Sequence, residues 1–141
     1  MTVNAVTHLN FRGDARAALT FYQSVFGGEL TVVTYGDMGD TTDPSLADQM
    51  MWGQVVSPGG VGVMAYDVPP ELPWERGAHA FYISLRSESA DELTALWERL
   101  DDGATVLRPL GPEKWTPLYG MLEDKFGVIW VMDVVTAYAP S

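Results

Sequence analysis

The chain has no cysteine among its 141 residues, which rules out disulfides, thiolate metal sites and a cysteine nucleophile. Cations are scarce: 8 Lys and Arg stand against 19 Asp and Glu, for a formal net charge of -11. Such a field repels a phosphate backbone, and no Lys/Arg cluster is present to release counterions, so a nucleic-acid partner is not expected. Long apolar runs are missing too. None approaches the roughly 18 residues that cross a bilayer, and the opening MTVNAVTHLNF lacks the basic-then-apolar layout of a secretory signal. The expectation is a soluble cytoplasmic protein without a membrane partner. Gly59-Gly60-x-Gly62 is too short, and precedes no helix, so it fails as a nucleotide fingerprint. Asp37, Asp40, Asp43 and Asp48, with Gly36 and Gly39, do not follow the spacing of a calcium loop and read as a solvated, mobile loop.

What is present is apolar patterning, with 47% hydrophobic residues, enough for one domain over 1–141 to build its own core. Ala5 to Phe11 alternates as a strand, with Leu9 and Phe11 on one face and His8 and Asn10 on the other. Asp14 reads as an N-cap. Ala18, Phe21, Tyr22, Val25 and Phe26 form a helical stripe, and Gly27-Gly28 ends it. Strand-like runs follow at Leu30 to Tyr35, Met51 to Val56 and Val61 to Tyr66, the last two joined by the turn Ser57-Pro58-Gly59-Gly60.

After a connector, residues 68–77, the order returns. Ala80 to Leu85 reads as a strand, Ser89 and Glu92 as a capping box, and Leu93, Leu96, Trp97 and Leu100 as a second stripe closed by Gly103. Thr105 to Arg108, Gly120 to Glu123 and Val128 to Val134 supply three more strands around an Asp124 to Gly127 turn, with Trp130 expected to pack under a helix. The fold class is α+β, with βαβββ written twice, in residues 1–67 and 78–141.

Particular strings carry a resemblance. His8-Leu9-Asn10-Phe11-Arg12-Gly13-Asp14-Ala15, then Phe21-Tyr22, Phe26-Gly27-Gly28-Glu29, Gly36-Asp37-Met38 and Val63-Met64-Ala65-Tyr66-Asp67 occur in order. Trp115, Gly120, Asp124, Gly127 and Trp130 complete the series. The chain resembles the PhnB-like branch of the vicinal-oxygen-chelate superfamily, the glyoxalase, bleomycin-resistance and dioxygenase group. The resemblance implies two curved sheets around a central cleft. It also implies, in metal-bearing members, a divalent ion held by His, Gln or Glu from the first and last strands of each module. Carried over, those positions fall near Val6, at Met64 or Ala65, at Ala80 and at Val131, none of which offers the nitrogen or oxygen donors such an ion needs. His8 shares its face with Val6 and Asn10, whereas parity turns His79 away. Some members carry a ubiquinone-methyltransferase label, but no cofactor motif here supports methyl transfer.

Aromatic and amide side chains gather on the faces expected to line the cleft. The candidate ligand-binding residues are His8, Asn10, Trp52, Gln54, Tyr66, Tyr82, Trp115 and Tyr119, with Gly53 and Val55 turned toward the helix. His8 is the sole candidate acid or base. The reading is a metal-free, cofactor-free protein that binds a small organic molecule, aromatic or cationic. The alternative is a lyase, isomerase or dioxygenase-like enzyme of the same fold working through His8 or a noncanonical metal site. Edge strands, together with Leu72, Pro73, Trp74, Val134, Val135 and Tyr138, point to a homodimer.

Overall fold

The computed structural model describes residues 3–39 and 43–136. The chain divides between Arg76 and Gly77 into two compact units. The first unit runs β1 (Thr7–Phe11), α1 (Ala15–Phe26), β2 (Glu29–Thr34), 3-10 turns at Gly36–Met38 and Pro44–Leu46, β3 (Met50–Val56) and β4 (Gly62–Asp67). The second runs β5 (Ile83–Ser87), α2 (Ala90–Leu100), β6 (Thr105–Glu113), β7 (Thr116–Glu123) and β8 (Ile129–Val134). Each unit is an open four-stranded sheet, ordered β1-β4-β3-β2 and β5-β8-β7-β6. In each, the first strand pairs parallel with the last and the remaining pairs are antiparallel. The α+β class and the repeated βαβββ order are as the patterning requires. Among the described residues, no helix is long and apolar enough to cross a membrane.

Sheet alternation assigns the core. Leu9, Val55, Val63 and Ala65 are buried on the face that α1 covers with Ala18, Leu19, Tyr22 and Val25. Burying a side chain of this size contributes roughly 1.5–3 kcal/mol. Gly53 lets the helix come close: a Cβ there would lie 1.9 Å from the Met50 methyl and 2.7 Å from Leu19 Cδ1. In the second unit Leu93, Trp97 and Leu100 of α2 are buried, as are Leu85, Leu122, Trp130 and Met132 of the sheet. Trp130 is fully buried and its Nε1 donates to Asp124 Oδ2 at 2.8 Å. Asp124 Oδ1 accepts from the N–H groups of Phe126 and Val128, which locks the expected turn.

The two helix starts differ. Ser89 caps α2 as expected, accepting from Glu92 N at 3.2 Å, and Ser87 Oγ completes the box by accepting from Ser89 N and donating to Glu92 Oε2. Asp14 precedes α1 but makes no side-chain cap bond. Asp67, at the end of β4, does that work: its Oδ1 accepts from Gly13 N at 2.7 Å and Ala15 N at 3.1 Å, and its Oδ2 from Met50 N at 2.9 Å. A long-range carboxylate thus replaces the local one.

Several boundaries move. β5 starts at Ile83, not Ala80, because the preceding segment has positive φ at Gly77 (73°) and His79 (56°), which breaks extended pairing. The alternation that turned His79 away therefore does not apply to it. β6 continues past Arg108 to Glu113, through Pro109 and Gly111, by register shifts along a sheet edge where proline costs no ladder bond. β7 begins at Thr116, whose hydroxyl donates to Val134 O at 2.9 Å. The aspartate-rich loop contains the two 3-10 turns, with Asp37 accepting from Thr34 N and Asp43 from Ser45 N. Asp40 and Tyr138 lie outside the described residues.

Candidate functional site

The face of the first sheet opposite α1 collects the polar and aromatic side chains. On β1 and β4, His8 stands opposite Met64 and Asn10 opposite Tyr66. On β3, Gln54 stands opposite Met64 and Thr31, and Trp52 opposite Val33. His8, Asn10, Trp52, Gln54 and Tyr66 therefore share one surface, while Gly53 and Val55 between them are buried against the helix.

Specific contacts orient these groups. His8 Nδ1 lies 3.0 Å from Asn10 Oδ1. With the carboxamide so placed, its oxygen accepts and Nδ1 donates, which fixes the orientation of the ring. The Tyr66 ring meets the imidazole nearly edge-on, at 5.3 Å between centroids and 72° between planes. Across the same face, Trp52 Nε1 donates to Met64 Sδ at 3.2 Å, a weak acceptor that nevertheless fixes the half-exposed indole. Imidazole and both ring systems are held in place, and His8 stays open to solvent.

In the second unit Trp115 and Tyr119 pack at 5.3 Å and 73°. Tyr119 lies opposite Asp133 across β7 and β8. Trp115 is 59% exposed and precedes β7. Tyr82 falls outside β5, 43% exposed, and its hydroxyl shares a 2.9 Å hydrogen bond with His79 Nδ1. The eight candidates thus form three groups: five on the first sheet, Trp115 with Tyr119, and Tyr82 with His79.

The residues present do not fit the divalent ion that the resemblance implies. Val6 and Val131 are hydrocarbon, Ala65 is buried on the helix side, and Ala80 lies outside any strand. Pairing of β5 with β8 puts Ser84 opposite Val131, as β1 with β4 puts His8 opposite Met64. In that register the four positions carry an imidazole, a thioether, a hydroxyl and a hydrocarbon, with no carboxylate. Among the described residues, no group of three His, Asp or Glu side chains is placed to hold a metal.

One feature of these faces is absent from the sequence reading. Arg86 grips Asp133 bidentately, Nε to Oδ1 at 3.0 Å and the second guanidinium nitrogen to Oδ2 at 3.1 Å, and this hydrogen bonding raises the arginine pKa further. Strand parity alone could have put both residues off the helix face. Only the parallel register, Arg86 opposite Asp133, makes them partners. By the same correspondence they occupy the places that Asn10 and Tyr66 hold in the first unit.

Comparison with known proteins agrees with this architecture. The family model described as the Glyoxalase/Bleomycin resistance protein/Dioxygenase superfamily matches residues 5–132. The Escherichia coli protein YjdN is 24% identical over 138 residues, covering 91% of this chain and 92% of its own. The crystal structure of PA1353 from Pseudomonas aeruginosa superimposes with a TM-score of 0.80 at 32% identity, over 94% of this chain and 98% of that one. A Bacillus cereus PhnB protein, described as a putative 3-demethylubiquinone-9 3-methyltransferase, shares the fold, with a TM-score of 0.70 at 22% identity over 94% of this chain and 100% of its own. With nearly its whole length matched and both βαβββ modules in place, the chain belongs to the glyoxalase/bleomycin resistance protein/dioxygenase superfamily.

Proposed function

We propose that the chain is a PhnB-like, metal-free binding protein of the glyoxalase/bleomycin-resistance type. Its ligand is a flat organic molecule, aromatic and preferably cationic, received on the exposed face of the first sheet. The observation that carries this reading is the pair of fixed ring systems on that face. Trp52 is tied to Met64, and His8 is tied to Asn10 with Tyr66 at its edge. Rings already immobilised lose little entropy when a planar guest stacks on them, and Gln54 adds an orienting amide. The net charge of -11 favours a cation's approach.

Titration calorimetry with bleomycin and with proflavine, a planar aromatic cation, tests the reading. At least one should bind saturably, and Trp52→Ala should weaken it by roughly tenfold or more. No binding of either, or binding indifferent to Trp52, would remove the reading. An enzyme acting through His8 is the second reading, favoured by the Asn10 contact that orients the exposed imidazole.

A further inference from the structure

A cavity of about 400 Å³ lies in the first unit, where β2 ends, β3 begins and β4 passes into the connector. Its lining is Tyr35, Asp43, Leu46, Gln49, Pro69, Pro70 and Glu71, none of which belongs to the sheet-face site. Its size falls within the range of small-molecule sites. We propose that this cavity is a second binding site, for a small organic cation with a compact apolar body, such as an arylalkyl amine.

The walls are fixed by hydrogen bonds. The Tyr35 hydroxyl donates to Asp67 O at 2.6 Å and Tyr35 N donates to Gln49 O at 3.0 Å. Gln49 N in turn donates to Leu46 O at 3.0 Å. On the other side the Arg12 guanidinium donates to the carbonyls of Pro69 and Leu72, anchoring the connector and engaging its own charge with backbone oxygens. A cavity preformed in this way orders little chain on binding.

Its chemistry selects the guest. Leu46, the two prolines and the tyrosine ring offer apolar and π surface suited to a ring or alkyl body. Asp43 and Glu71 supply negative charge, and neither forms an ion pair among the described residues. The Ser45 hydroxyl and backbone N–H both donate to Asp43 Oδ1, holding that carboxyl below its usual range, so it stays ionised in mild acid while Oδ2 remains available. Among the described residues nothing cationic lines the cavity, which disfavours an anionic guest.

The test titrates the full-length ¹⁵N-labelled protein with benzylamine and, separately, with benzyl alcohol, its neutral near-isostere. Benzylamine should produce saturable amide shifts at Ser45, Leu46, Gln49 and Glu71, and benzyl alcohol should bind about tenfold more weakly or not at all. Glu71→Gln should weaken benzylamine severalfold. Asp43→Asn should do the same, but Asp43 also caps a turn, so Glu71→Gln, at an exposed side chain, carries the test alone. Trp52→Ala should leave these shifts unchanged, which separates this site from the sheet-face one. Equal binding of both probes, shifts confined to His8 and Trp52, or no saturation would each overturn the proposal.

Discussion

Asp67 is only 1% exposed, yet it sits among backbone N–H groups from the β1–α1 turn and from the start of β3. A buried carboxylate in that position is matched by three donors, and any replacement leaves at least one unpaired. Asp67→Asn keeps the shape but turns an NH₂ toward an N–H, so it should cost about 3 kcal/mol, read from urea unfolding. The two tryptophans make a sharper contrast. Trp130→Ala should cost the roughly 3–5 kcal/mol of a core aromatic truncation, because the ring is fully buried and its N–H serves Asp124. Trp52→Ala should cost about 1 kcal/mol, since the indole is half exposed and its single polar contact is to sulfur. A full-sized loss at Trp52 would reassign it to the core.

At the scale of elements, the helix starts give a paired prediction. Ser89→Ala removes the cap of α2 and should cost about 1 kcal/mol, whereas Asp14→Ala should cost only a few tenths, because Asp67 already serves the start of α1. Thermal unfolding of the two variants side by side checks it. The same contrast shows what could be read in advance. The Ser89–Glu92 box is local, and four consecutive residues display it. The Asp67 cap joins residues far apart and has no local signature. Periodicity located both helices and all eight strands, because sheet alternation and helical stripes are properties of neighbouring residues. It placed the start of β5 too early, since Ala80 to Tyr82 look strand-like while the positive φ of His79 is invisible in its identity. It ended β6 too soon, at Arg108 before Pro109, a proline that an edge strand tolerates. For the candidate site, parity sufficed to gather His8, Asn10, Trp52, Gln54 and Tyr66, whereas the Arg86–Asp133 pair needed knowledge of which strand lies beside which. The cavity beside Pro69 and Pro70 depends on loops and was beyond the reach of periodicity.

At the scale of the whole molecule, two outcomes are expected. Zn²⁺, Ni²⁺, Mn²⁺ or Fe²⁺ at one equivalent should leave the melting temperature unchanged, because the positions that would ligate an ion offer no converging donors. A saturable rise would refute this. Light scattering at micromolar concentration should give twice the mass of one chain. Among the described residues the outer edges of β2 and β6 carry no further strand, and Val106 and Leu107 on β6 are exposed, a liability that symmetric pairing covers. Trp74 is engaged otherwise, its indole donating to Asn10 O of its own unit, so Trp74→Ala should leave the dimer intact. A mass that stays at one chain across concentrations would defeat the dimer.

The parallel pairing of first and last strands bears on how the protein is made. Thr7 finds its partner only when Val63 has been synthesised, and Gly13 finds its acceptor only with Asp67. A nascent chain halted at the Ser57 to Gly60 turn holds β1 and α1 but neither the strand that separates β1 from β3 nor the carboxylate that seats the helix. Closing so long a loop is slow relative to local hairpins. The first unit should therefore gain protease resistance abruptly, as β4 clears the ribosome, and the second should repeat the event when β8 emerges to join β5.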